Sequence, residues 1–129
     1  MKQLLILLFS LLISFNSYGE WKYIQESTSG TLFYVNKDNF REHNGFVYWW
    51  ILADYLVPLE NTGGVMSTKG YHQGDCGVMR YKTLSRIHYF QPMGNGENMT
   101  STASNPKWEY ANPDGIDYHI LDYVCDYVK

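Results

Sequence analysis

The 129-residue sequence predicts an α+β fold: an antiparallel sheet with a C-terminal helix packed on one face and tied there by a disulfide. Three observations carry this. Short runs rich in Val, Ile, Tyr, Phe and Trp recur from Trp21 to Tyr110, broken by Gly, Pro, Ser and Asn clusters, as in strands joined by turns. The stretch 108–129 then changes to a helical period. The chain's two cysteines fall on either side of that change, Cys76 in the β-rich part and Cys125 in the terminal stretch.

Residues 1–19 read as an export signal rather than as part of the fold. Lys2 supplies a positive start, residues 4–15 are an almost unbroken apolar run, and Ser17 and Gly19 are small residues where a signal peptidase reads. The rival reading is a membrane anchor, but the run falls short of the ~20 apolar residues a helix needs to cross a bilayer. Cleavage before Glu20 leaves one domain, residues 20–129, with no cysteine near its start to carry a lipid. Loss of Lys2 leaves nine Lys and Arg against thirteen Asp and Glu, a net charge of −4. An acidic surface argues against nucleic acid or an anionic membrane as partner. Two cysteines in an exported chain most simply form one disulfide, the alternative being two free thiols.

Taken in order, residues 21–24 and 31–35 form a hairpin around the Ser27–Gly30 turn. Residues 36–44 are polar and irregular. Residues 46–55 (FVYWWILADY) are apolar on both faces, so this strand should lie centrally and be covered on both sides, by the helix and by a second cover such as a partner subunit. A loop at 57–64 leads to a strand at 65–71. A long β stretch then runs from Cys76 to Phe90, with a break in alternation at Leu84 and Ile87 that predicts a bulge near Ser85. Residues 91–107 are the longest polar segment and read as a surface loop with a turn at Gly94–Gly96. A short strand at 108–110 follows.

Asn112 and Pro113 suit a helix start, with Asp114 and Asp117 favourably placed in its first turns. One face collects Tyr118, Leu121, Val124, Cys125 and Val128; a second apolar stripe collects Ile116, Ile120, Tyr123 and Tyr127. That second stripe calls for a sheet curved around the helix or for a second copy of the chain, which makes these four residues a candidate homodimer interface. The β-formers in the same stretch also permit a strand.

No catalytic set, cofactor motif or metal spacing stands out. His43, His72, His88 and His119 lack any HxxxH or HExxH pattern. Gly94 and Gly96 lack the strand–loop–helix setting of a phosphate loop, and Asn98-Met99-Thr100 is a chance-prone glycosylation sequon. Arg80, Lys82, Arg86 and His88 would line one strand as a basic stripe, either solvated, complementary to the acidic C-terminus, or open to an acidic ligand.

The ordered series of Asp75-Cys76 and Arg80, then Pro92-Met93-Gly94 with Gly96, then Trp108 and Asn112-Pro113, and finally Leu121 with Tyr123-Val124-Cys125 resembles the surface-adhesin protein E family. Trp21 and residues 31–36 (TLFYVN) sit where that family has its opening strands, so the resemblance spans nearly all of 20–129. It implies about six antiparallel strands, an ordinary sheet size, with the helix held to the concave face by a Cys76–Cys125 disulfide. It also implies a non-enzymatic, cofactor-free protein that dimerises and binds host extracellular-matrix and plasma proteins such as vitronectin and laminin. The missing lipid-carrying cysteine points to a periplasmic or secreted protein. The other expectation is therefore a periplasmic protein that binds a small ligand or modulates an envelope enzyme. Mass spectrometry of the exported protein should show the loss of residues 1–19 together with two hydrogens, and an intact leader or free thiols would contradict the expectation.

Overall fold

The computed structural model describes residues 20–129; the export signal lies outside the described residues. Among the described residues, eight strands precede one helix: β1 (Lys22–Glu26), β2 (Leu32–Val35), β3 (Arg41–His43), β4 (Phe46–Asp54), β5 (Ser67–Asp75), β6 (Arg80–Gln91), β7 (Asn95–Thr102), β8 (Glu109–Tyr110) and α1 (Ile116–Val128). All pairings are antiparallel, in the order β1-β2-β4-β5-β6-β7. Strand β2 pairs with 51–54 of β4 and β3 with 46–48, so the two share one edge of β4. Likewise β7 and β8 share the outer edge of β6. The sheet is thus six strands wide although eight segments build it.

Helix α1 lies on the face carrying Val35, Val47 and Trp49, which form one core with Ala111, Ile120, Leu121, Val124 and Cys125. Burying each of these large apolar side chains contributes about 1.5–3 kcal/mol. Close approach depends on Gly74, which pairs with Val47 on β4. A Cβ at Gly74 would stand 2.6 Å from Leu121 Cδ1 and 2.7 Å from Trp49 Cζ3.

Cys76 is not inside a strand, contrary to the expected β stretch from 76 to 90. It lies in the four-residue turn between β5 and β6. Asp75 organises that turn: Oδ1 accepts from the Gly77 amide and Oδ2 from Arg80 Nε at 3.2 Å. Met79 takes a left-handed φ of 54° and its carbonyl accepts from Ala111 N. The turn thereby presents Cys76 to Cys125 in the last turns of α1, and the two are disulfide-bonded with Cα atoms 5.9 Å apart.

Two further expectations are corrected. Residues 112–115 form a turn, not the first turn of the helix: Asn112 Oδ1 accepts from Asp114 N, Gly115 N donates to the Asn112 carbonyl, and α1 starts at Ile116. The Asn side chain here folds a local turn in preference to capping a helix. The polar segment 91–107 is not all loop, because residues 95–102 form the edge strand β7, exposed along its whole length. A strand with no buried face leaves no apolar alternation to read. The chain itself also supplies part of β4's second cover. On the face away from α1, Leu52 is fully buried beneath the Pro92–Gly94 turn, where Gly94 N donates to Ser67 Oγ and Ser67 Oγ donates to the Gln91 carbonyl.

Cross-linking residues 49 apart stabilises by about 4 kcal/mol in the chain-entropy model. Cys125→Ala should therefore lower the melting temperature by about 10 °C or more, and a reductant should then have no further effect. A variant that melts with the oxidised wild type would show the cross-link contributes little.

Candidate functional site

The face of the sheet turned away from α1 carries an aromatic array. Trp50 and Tyr71 face each other across β4 and β5 with ring centroids 4.8 Å apart, and Tyr48 stacks on Tyr71 at 6.1 Å. Phe46, two residues before Tyr48 on the same face, packs 5.5 Å from Trp108. Arg80 and Lys82 each place their charge 4.4 Å from the Trp108 ring. Across the sheet, Tyr23 meets Tyr34 edge-on at 5.7 Å and is half exposed, and Lys69 lies over Trp21 and Tyr89. Cross-strand aromatic pairs and cation–π contacts pack these rings against their neighbours, and Phe46, Tyr48, Trp50, Tyr71 and Trp108 are each half-buried. The result is a rigid, amphipathic surface of Tyr, Trp, Lys and Arg.

The predicted basic stripe is divided by the bulge. Tyr71 pairs with Ser85 and His72 with Thr83, leaving Leu84 as the extra residue of β6, next to the expected position. Side chains on the two sides of the bulge consequently face opposite ways. Arg80 and Lys82 join the aromatic array, while Arg86 and His88 turn to the helix side. Of this set only Arg80 forms an ion pair among the described residues, with Asp75.

On the helix side, the candidate interface residues find partners within the chain. Ile120 is 2% exposed and belongs to the core, so it is not available to another subunit. Ile116 is half-buried at the start of α1. Tyr123 packs edge-on against Phe40 and accepts a hydrogen bond from Lys22 Nζ at 3.0 Å. Tyr127 also packs on Phe40 but stays 52% exposed. The two apolar stripes merge through Ile120 and Leu121 into one broad buried arc.

Between the first turns of α1 and the sheet lies a cavity of about 290 Å³. Next to it His72 stacks on Trp49 at 5.3 Å and shares a hydrogen bond with Thr83 through Nδ1. Burial first, and then the Arg86 charge, push the His72 imidazole down to about 4. Tyr81 is raised above the usual phenol value by burial foremost and then by Asp117 and Glu109, and its hydroxyl donates to Asp117 Oδ2 at 3.3 Å. Among the described residues no group of three His, Cys, Asp or Glu side chains is placed to hold a metal. No helix among them is long and apolar enough to cross a membrane.

The sequence profile of the Surface-adhesin protein E family matches residues 21–126. The fold resembles that of Haemophilus influenzae protein E in crystal form II, with a TM-score of 0.66 and 15% identity over 83% of this chain and 90% of that one. It also resembles protein E from non-typeable Haemophilus influenzae, at TM-score 0.59 and 14% identity over 85% and 79% of the two chains. No curated protein sequence matches.

The depressed His72 value makes stability depend on pH. The unfolded chain binds a proton near pH 6.5 that the folded chain resists until about pH 4. Stability is thus complete above pH 6.5 and falls as the pH drops toward 4, by about 2–3 kcal/mol given the partial exposure of the ring. Denaturant unfolding at pH 7 and 4.5 should show this loss in the wild type and a smaller one in His72→Phe; equal losses would remove His72 as the cause.

Proposed function

The chain belongs to the Surface-adhesin protein E family, and from that premise we propose that it is an exported binding module for host extracellular-matrix or plasma proteins. Its docking surface is the aromatic face of the sheet, and it acts in the periplasm or outside the cell. The observation that carries this reading is the half-buried array of Trp50, Tyr71, Tyr48, Phe46 and Trp108 with Arg80 and Lys82 on the side of the sheet away from the helix.

Its chemistry suits a protein partner. Tyr, Trp and Arg are the side chains most often found as binding anchors, because each offers a large contact area with few torsions to freeze and a polar tip. Here the torsions are already restrained by cross-strand neighbours, which reduces the ordering cost of association. Arg80 and Lys82 would complement acidic segments of a partner and speed encounter. No group of three His, Cys, Asp or Glu side chains that could hold a metal lies on this face among the described residues.

Residues 20–129 should bind immobilised vitronectin or laminin. Combined Tyr48→Ser and Tyr71→Ser should weaken that binding at least about tenfold, the scale of one lost aromatic anchor, with melting temperature as the control for folding. Undiminished binding by a folded double variant would take this face out of the role, and no binding by the wild type to either protein would defeat the reading.

A further inference from the structure

We propose that the cavity beneath the first turns of α1 binds a small apolar carboxylate, its acid group on Arg86 and its body between the helix and the sheet. The inference is independent of the aromatic face, which lies on the other side of the sheet.

The cavity exists because two adjacent strands, β4 and β5, carry small or short side chains at its floor. Cross-strand rows run Phe33, Ala53, Thr68 on one line and Val35, Ile51, Gly70, Arg86 on the next. Ala53 and Gly70 leave space that a larger residue would fill: a Cβ at Gly70 would come within 2.9 Å of His72 Nε2 and 3.2 Å of Ile51 Cγ2. Ile116 and Ile120 form the roof. At about 290 Å³, the space holds on the order of ten non-hydrogen atoms at about 30 Å³ each.

The charge at the rim and the apolar wall together specify the ligand. Arg86 lines the cavity, is exposed to solvent, and has no ion-pair partner among the described residues. A guanidinium at the rim of an apolar chamber matches a carboxylate with a hydrocarbon body. Phe33, Trp49, Ile51, Ile116 and Ile120 supply the apolar wall for that body. The nearby anion is already engaged: Asp117 accepts from Tyr81 Oη and from the amides of Asn112 and Tyr118. Other polar groups of the wall satisfy one another, Tyr55 Oη donating to Thr68 Oγ1, which in turn contacts His88 Nδ1.

Titration calorimetry and tryptophan fluorescence with 3-phenylpropionate and octanoate as probes test this in residues 20–129. At least one probe should bind saturably below millimolar concentration, and 3-phenyl-1-propanol, which lacks the carboxylate, should bind at least about tenfold more weakly. Arg86→Gln should reproduce that loss, Arg86→Lys should recover part of it, and Ala53→Leu should block binding by filling the floor. Absence of saturable binding by either probe would overturn the proposal, as would equal affinity for the alcohol or in folded Arg86→Gln. Vitronectin or laminin binding unaltered in Arg86→Gln would keep the two sites separate.

Discussion

The join between the β5–β6 turn and the end of α1 is the constraint on which the rest of the structure depends. Helix α1 is the one α-helix packed on the sheet among the described residues. The covalent link from Cys76 to Cys125 fixes its last turns there. It needs a turn of defined shape, which Asp75 provides by bonding Gly77 and Arg80, and a helix that approaches closely, which the absent side chain of Gly74 permits. The same residue pair, Asp75 and Arg80, therefore shapes the turn and anchors one edge of the aromatic array, because Arg80 also lies over Trp108. Cross-link and candidate binding surface are parts of one local structure.

The bulge at Leu84 has the second organising role. One extra residue reverses which face each later side chain of β6 meets. Upstream, Arg80 and Lys82 lie among the half-buried rings; downstream, Arg86 and His88 look toward the helix. A strand without the bulge would place all four on one face, as a single basic patch. With it, the sheet has an aromatic–cationic face outside and a chamber with one unpaired cation inside. The bulge thus separates two kinds of surface, an aromatic–cationic face and an apolar chamber with a guanidinium at its rim.

The helix stripe of Ile116, Ile120, Tyr123 and Tyr127 illustrates how a sheet can meet a demand that a second subunit would otherwise have to meet. A helix apolar over most of its circumference must be surrounded. Strand β1, the segment after β2 and Phe40 provide that surround, with Lys22 and Phe40 closing over Tyr123. Tyr127, 52% exposed, is the member of the stripe that this surround leaves most open.

Local chemistry determined much of this protein: the α+β class, the central place of residues 46–55, the bulge near Ser85, the terminal helix and the pairing of its two cysteines. These were legible because periodicity, turn residues and cysteine count act over a few neighbours or over none. The sequence also carried the signal for the aromatic surface, in its 17% aromatic content, but not its arrangement, since stacking across β4 and β5 depends on register. Strand β7 was illegible because an exposed edge strand is held by backbone hydrogen bonds that leave no mark on side-chain pattern. Only the tertiary structure decided that Asn112 makes a turn, that Leu52 is capped by the Pro92–Gly94 turn, and that Ala53, Gly70 and Ile120 enclose a chamber beside Arg86. Each of these depends on atoms distant in the chain meeting in space, and hydrophobic patterning records whether a residue is buried but not what buries it.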